Sequence, residues 1–105
     1  MSRAQRKRWW GYAKAMIRAY PGRIGKELDG TPLAEFQAVE AAIEATRRRR
    51  DGEARMAVVN MVLIKGTHNI PGAALRIPCS ERTAARWHGD FIREVAANFR
   101  CDGLT

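Results

Sequence analysis

The stretch that decides the fold reads IPGAALRIPCSERTAARWHGDFIREVAANF and runs from Ile70 to Phe99. It predicts a short helix from about Pro71 to Arg76, because proline suits a first helical turn, where its missing N–H would be unpaired anyway. Pro78 ends that helix, since proline pushes the preceding residue toward extended geometry. Ser80 then offers a side-chain oxygen to the free amides of a second, longer helix. The stretch therefore predicts two helices joined by a short turn.

The longer helix has two distinct faces. Glu81 lies in its first turn, where the helix macrodipole favours a negative charge. Apolar residues then recur at three- and four-residue steps, the spacing of one buried helical stripe; they are Ala84, Trp87, Phe91, Val95 and Phe99. The residues off this stripe should face solvent, and they are Arg82, Arg86, Gly89 and Arg93. We expect Trp87 to pack against the helix that contains Met56 to Ile64.

Two helices with a short turn, the second carrying a basic outer face, form the pattern of a helix-turn-helix. Such a motif places its second helix in the DNA major groove. A plain helical hairpin with a solvated charged face is the alternative. The helix-turn-helix interpretation predicts these DNA-contacting residues: Ser80, Glu81, Arg82, Thr83, Ala85, Arg86, Gly89 and Arg93.

The same residues carry a family resemblance. The segments concerned are Leu75-x-Ile77, Ser80-Glu-Arg-Thr83, Arg86-Trp87 and Phe91-Ile92-x-x-Val95-Ala96. Together they resemble the C-terminal half of phage late transcriptional regulators of the ArpU/RinA type, which is similar to region four of sigma factors. Pro78 and Cys79 look inserted relative to the usual family spacing, and Ala84 stands where valine is more usual. The resemblance extends more weakly back through Glu53-Ala-Arg-Met56, and it implies a phage-encoded, DNA-binding activator of late genes.

Charge is distributed unevenly along the chain. The 105 residues include 19 basic and 11 acidic side chains, for a net charge of +8. Residues 1–26 hold eight basic side chains and no acid, and residues 27–46 hold five acids and no base. A small, strongly basic protein of this kind usually meets a polyanion, and nucleic acid is the first candidate. An acidic membrane surface is the second, but no long apolar segment or lipidation signal supports it.

Four consecutive arginines, Arg47 to Arg50, follow the acidic segment. They lie at the C-terminal end of a predicted helix, where the macrodipole favours cations. A run of arginines also suits contact with phosphates, and both interpretations stay open. The candidate phosphate contacts are Arg3, Arg6, Lys7, Arg8, Arg47, Arg48, Arg49 and Arg50.

Helix-forming residues dominate, which predicts an all-α domain of about five helices. The first helix extends from Trp9 to Tyr20 and ends at Pro21-Gly22. Thr31 should cap the second helix, with Pro32 at its first position. Its buried stripe is expected to consist of Leu33, Phe36, Val39 and Ile43. We divide the chain into residues 1–52, with the basic helix and the Ala/Glu-rich helix, and residues 53–105, the helix-turn-helix unit, within one compact domain.

An apolar run from Ala54 to Lys65 precedes the two decisive helices. It predicts a helix packed on all sides, with Gly66 as its C-terminal stop. A buried strand is the alternative for so short an apolar run, but no partner strand is visible in the sequence. This helix would be the first of the DNA-binding unit.

Several function classes find no support in the sequence. It contains no Walker loop, GxGxxG, HExxH or nucleophile elbow, so we expect neither an enzyme nor a cofactor. The spacing of His68, Cys79, His88 and Cys101 matches no familiar zinc pattern, so we expect no metal. No apolar segment of a signal peptide follows the basic N-terminus. We therefore expect a cytoplasmic protein with reduced thiols, in the host cytoplasm if it is phage-encoded.

The sequence predicts a sequence-specific double-stranded DNA-binding regulator of transcription. Its expected partners are double-stranded DNA, then RNA polymerase and further copies of itself, and not a membrane. One alternative is the small subunit of a phage terminase, which would assemble into a ring. Another is an adaptor that binds RNA polymerase or another protein through Trp9 and Trp10. If the two indoles are not such a surface, we expect one in the core and the other half covered.

Overall fold

The computed structural model describes the backbone of residues 3–99 and the side chains of residues 8–99. Its helices are α1 (Arg3–Arg23), α2 (Gly30–Arg47), α3 (Gly52–Val59), α4 (Ile70–Arg76) and α5 (Glu81–Phe99). Residues Asn60–Ile64 continue α3 as a π-helical segment. The described part of the chain contains no strand, so the all-α class is confirmed, and the buried-strand alternative for the apolar run is wrong.

Helix α1 is longer than the sequence predicted. It begins at Arg3, so the charged lead before Trp9 is helical, and it passes through Pro21 to end at Arg23. The prediction that Pro21-Gly22 ends the helix is wrong. Gly25 turns the chain instead, with a φ of +78° that favours glycine. The last turn of α1, beyond Pro21, is stabilised by a residue of α2: Glu35 accepts hydrogen bonds from the Arg23 guanidinium (2.8 Å) and from the Tyr12 hydroxyl.

Helix α2 begins earlier than predicted. Asp29 is its N-cap and Gly30 its first residue, so the assignment of Thr31 as the cap is wrong. Gly30 has a φ of +57°, which lets the chain turn into the helix ahead of Thr31. In the predicted stripe, Val39 and Ile43 are buried, whereas Leu33 and Phe36 are half-buried.

The connection between α2 and α3 is tight. Asp51 takes a φ of +60°, and a Cβ atom built on Gly52 would lie 2.3 Å from the Arg47 carbonyl oxygen. Only glycine permits this close approach.

At the end of the π-helical segment that continues α3, the Lys65 amide donates to the Asn60 carbonyl over 2.8 Å, which is the i→i+5 bond of a π-helix. Gly66, at a φ of +64°, is confirmed as the stop.

Helices α4 and α5 each have a side-chain cap. The Asn69 amide oxygen accepts from the Gly72 amide at 2.9 Å, so α4 begins one residue before the predicted Pro71. Ser80 is confirmed as the cap of α5, since its Oγ accepts from the Thr83 amide at 3.0 Å. The Asn69 cap fixes the start of α4, and the Ser80 cap fixes the end of the turn between α4 and α5.

The buried side chains form two clusters. The main core joins α1, α2, α3, the π-helical segment and α5 through Ala13, Met16, Ile17, Val39, Ala42, Ile43, Met56, Val59, Leu63, Phe91, Ile92, Val95 and Ala96. The second, which we call the Trp87 cluster, joins α3, α4 and α5 through Val58, Ala73, Ala74, Ala84 and Trp87. Residues from both predicted segments, 1–52 and 53–105, therefore share the main core.

Candidate nucleic-acid interface

The outer face of α5 begins with two free arginines. Arg82 and Arg86 are exposed and lie one helical turn apart, about 6 Å along the axis. Within residues 8–99, neither forms an ion pair. On the opposite side Ala84 and Trp87 are buried, as predicted. The packing of α5 therefore aims both guanidinium groups at solvent near the capped end of the helix.

The other predicted contact residues of α5 divide into two groups. Ser80, Glu81 and Ala85 are exposed, and Thr83 is half-buried, with its hydroxyl bonded to Ser80 Oγ at 2.9 Å. Gly89 is buried, so the expectation that it faces solvent is wrong. The Arg93 guanidinium lies over it, and a Cβ atom at residue 89 would be 3.1 Å from Arg93 Nη2.

Asp90 occupies the middle of this face, and it was not among the predicted contact residues. Its carboxylate accepts from Arg93 Nη2 at 2.9 Å and from Arg55 Nη1 at 3.3 Å. Burial acts to raise the pKa of Asp90, but the hydrogen bonds from Arg93 and Arg55, together with their positive charges, outweigh it and hold the pKa below its usual value. The carboxylate therefore remains ionised and neutralises part of the charge of two arginines.

Arg55 of α3 is the most connected cation of the described residues. Its Nε donates to the Arg50 carbonyl oxygen at 3.1 Å, and its Nη1 reaches Asp90. Its guanidinium also lies 5.5 Å from the centre of the Trp87 ring, within cation–π range. The Arg55 side chain is 16% exposed. One side chain thus joins three parts of the molecule.

The run Arg47–Arg50, which we call the arginine turn, lies beside the C-terminal half of α5. All four side chains are exposed, and Arg49 Nη2 is 3.6 Å from a Glu94 carboxylate oxygen. Arg55 holds the backbone of Arg50. The fold thus brings the arginine turn next to a helix that is distant in sequence. Among the N-terminal candidates Arg8 is exposed on α1, while the side chains of Arg3, Arg6 and Lys7 lie outside the described ones.

The two neighbouring tryptophans of α1 pack against the main core. Both Trp9 and Trp10 are half-buried, so the expectation that one of them lies fully in the core is wrong. The Trp10 ring centre is 6.4 Å from that of His88 on α5. Burial, followed by the nearby charge of Lys14, lowers the pKa of His88. Only part of each indole remains available to a partner.

The residues weighed as zinc ligands lie in separate surroundings. His68 Nδ1 is 2.9 Å from the Thr67 hydroxyl, Cys79 packs beside the Trp87 cluster, and Cys101 lies outside the described residues. No three His, Cys, Asp or Glu side chains gather as a metal site in the part of the chain that is described. Nor does this part contain a helix with the length and apolar character needed to span a bilayer.

Comparisons with protein-family models, with curated proteins and with solved structures found no match to this chain. What bears on its function is therefore the resemblance noted in α4 and α5, the placement of the arginines and the charge of the face they share.

Proposed function

We propose that this chain is a sequence-specific double-stranded DNA-binding regulator of transcription, with α4 and α5 as its helix-turn-helix. The observation that carries the proposal is the placement of two separate sets of arginines along α5, one on its N-terminal half and the other beside its C-terminal half. Arg82 and Arg86 are exposed and unpaired within residues 8–99, and the arginine turn lies beside the next turns of the same helix. A solvated helical hairpin would not need the second set.

The two sets suit different tasks in recognition. Arginine binds the O6 and N7 atoms of guanine through two donors in the major groove, and Arg82 and Arg86 are free to do so. The methyl group of exposed Ala85 suits contact with a thymine methyl. The arginine turn and Arg8 suit phosphates, which fix register and supply affinity without reading sequence. Arg93 is already hydrogen-bonded to Asp90, so we expect it to contribute positive charge to the DNA-binding face rather than to read bases.

The resemblance to phage late regulators narrows the proposal to an activator of late genes in the host cytoplasm, with RNA polymerase as a further partner. The RNA polymerase contact rests on that resemblance alone. Leu75 on α4 is 85% exposed, but a single exposed apolar side chain does not mark a partner surface.

A selection experiment tests the proposed function. Wild-type protein would be used to enrich sequences from a random duplex library, and its affinity for the enriched duplex compared with that for a random duplex. We expect a preference of at least about a thousandfold. The variant Arg18→Ala serves as a control and should show the same preference as the wild type, since Arg18 is exposed on α1 and is not among the candidate contacts. Failure to enrich any sequence would remove the proposal, and a ring-sized mass by light scattering would favour a terminase small subunit.

A further inference from the structure

Asp90 is an acid in the centre of a face that should attract DNA. It lies one helical turn after Arg86 and is flanked by Arg93 and by the arginine turn. A carboxylate at this place repels phosphates unless its charge is used within the protein. The contacts of Asp90 show how it is used: both of its oxygens accept from guanidinium groups, Oδ1 from Arg93 and Oδ2 from Arg55.

We propose that Asp90 and Arg55 are positioning residues that fix the arginine turn relative to α5, so that both basic segments engage the same DNA duplex. The inference rests on the proposed DNA-binding function, and it adds the contacts that align the arginine turn with α5. Neither residue needs to touch DNA. Each acts through the arginines that it holds.

The shape of the guanidinium explains why Arg55 is suited to this role. Its planar fork presents several donors in fixed directions. Nε is committed to the Arg50 carbonyl oxygen at 3.1 Å and Nη1 to Asp90 at 3.3 Å, while Cζ lies 5.5 Å from the centre of the Trp87 ring. The side chain is mostly buried, so these contacts are weakly screened by solvent. A shift of the arginine turn would have to break at least one of them.

The second partner of Asp90 fixes a further cation. Arg93 folds back over Gly89, which leaves the room because it has no side chain, and donates to Asp90. The Arg93 side chain stays 49% exposed, so phosphate can still reach it. Within the group formed by Arg49, Arg55, Arg93, Asp90 and Glu94, three cations face two carboxylates, which leaves one net positive charge. The network therefore orders the basic face without cancelling it.

The substitution Asp90→Asn distinguishes a positioning role from simple electrostatic repulsion, because the two predict opposite changes in the affinity for the selected duplex. If Asp90 only repels DNA, removing its charge tightens binding to every duplex and steepens the salt dependence. If it positions the arginine turn, the substitution lowers the affinity for the selected duplex more than that for a random one. Coupling between contacting groups of this kind predicts a fall of about fivefold or more in that preference.

The test uses the full chain, with the selected duplex and a random duplex as probes. Glu53→Gln is the matched control, because Glu53 is an exposed acid on α3, two residues before Arg55, without an ion pair among the described residues. It should tighten binding slightly and equally on both duplexes. Arg55→Lys keeps the positive charge but lacks the fork, so it should lower the preference as Asp90→Asn does. Circular dichroism establishes that each variant is measured well below its melting transition.

The possible results are distinguishable. A preference that is unchanged, or raised, in both Asp90→Asn and Arg55→Lys overturns the positioning role while leaving the DNA-binding proposal intact. A wild-type protein that enriches no sequence removes the proposed function itself. If one variant does not fold, the other decides the question. Arg55→Lys retains a cation for Asp90, and Asp90→Asn retains one acceptor oxygen, enough for only one of Arg55 and Arg93.

Discussion

The two halves of α5 differ in what they do with their charges. In residues 81–88 the inner side contacts the Trp87 cluster, and the outer side carries Arg82 and Arg86 without ion pairs among the described residues. In residues 89–99 the inner side enters the main core, and the outer side carries Asp90, Arg93 and Glu94, all paired. The second half anchors the helix in the fold, and the first half presents its exposed arginines to solvent. We call residues 81–88 the presented half of α5.

The two clusters beneath these halves differ as well. The main core holds several large, fully buried side chains, among them Phe91, Ile17, Ile92 and Val39. The buried members of the Trp87 cluster are one large ring, three alanines and Val58, and partly buried side chains such as Met61 and Ile70 pack against them. Trp87 is the single large ring among the buried members of its cluster, so its removal would leave a cavity lined mostly by smaller buried side chains. The presented half of α5 should therefore be the easier half to disrupt.

The largest effect is expected for Trp87→Ala, which removes the centre of the smaller cluster. Truncating a buried tryptophan costs about 3–5 kcal/mol, a large part of the stability of a small domain. The melting temperature by circular dichroism should fall steeply, or folding should be lost. Trp87→Phe is the control: it keeps a ring and removes Nε1, which is buried without an acceptor among the described residues, so it should cost much less. A native melting temperature for Trp87→Ala would place the ring outside the core.

Neutralising the arginine turn, by glutamine at residues 47–50, should have the next largest effect. The affinity should fall for random and selected duplexes alike, and further for the selected one, on which α5 and the arginine turn are proposed to bind together. Log affinity should also depend less on log salt, by roughly 0.9 for each phosphate that the protein no longer neutralises. The second half of α5 should be little disturbed, because the Arg49–Glu94 ion pair is long and exposed, and the Arg50 hydrogen bond is made by the backbone. An unchanged salt dependence would make the turn a solvated helix end.

Arg86→Ala tests the presented half alone. One bidentate contact to guanine discriminates by about 1–3 kcal/mol, so the affinity for the selected duplex should fall roughly tenfold or more. Helical content should not change, since Arg86 is exposed and unpaired among the described residues. Equal losses of affinity on selected and random duplexes would show that Arg86 touches only phosphate.

The smallest effect concerns pH and the boundary between the two halves, where His88 lies beside Trp10. Burial lowers the pKa of His88 in the folded chain, so the unfolded chain takes up a proton first as the pH falls. Stability should be fully present above the ordinary histidine pKa of about 6.5 and decline as the pH drops from there toward the lower folded pKa. Denaturant melts at several pH values should show this decline in wild type and His68→Gln but not in His88→Gln.

Local signals were enough to predict much of the fold. The stripe from Ala84 to Val95, the Ser80 cap and the Gly66 stop each depend on neighbours within a few turns, and all three are confirmed. Phe99, the last predicted member of the stripe, is only half-buried. The Asn69 cap could also have been predicted, because Asn followed by Pro71 is a helix-start signal. The error at Pro21 arose because an ion pair from another helix stabilises the last turn of α1.

The centre of the candidate site could not be predicted in the same way. The contacts of Arg55 with Asp90 and of Arg49 with Glu94 join residues far apart in sequence, and they form only once α2, α3 and α5 have packed. Arg55 gave one weak signal, as the single cation of α3 at the start of a mostly apolar run. The burial of Gly89 has no local signature, since it depends on how Arg93 folds back over it. The π-helical segment was not predicted either, and the structure shows no specific cause for it.

The central claim is that the presented half of α5 reads guanine through its free arginines, and base-analogue substitution tests it most directly. Replacing single guanines of the selected duplex with 7-deazaguanine removes the N7 acceptor and leaves base pairing intact. At one position the wild type should lose about tenfold in affinity. Arg86→Ala, or Arg82→Ala for a second guanine, should be insensitive to that same replacement. If wild-type affinity is unchanged at every guanine, or both variants remain as sensitive as wild type, these arginines do not read bases and the claim is wrong.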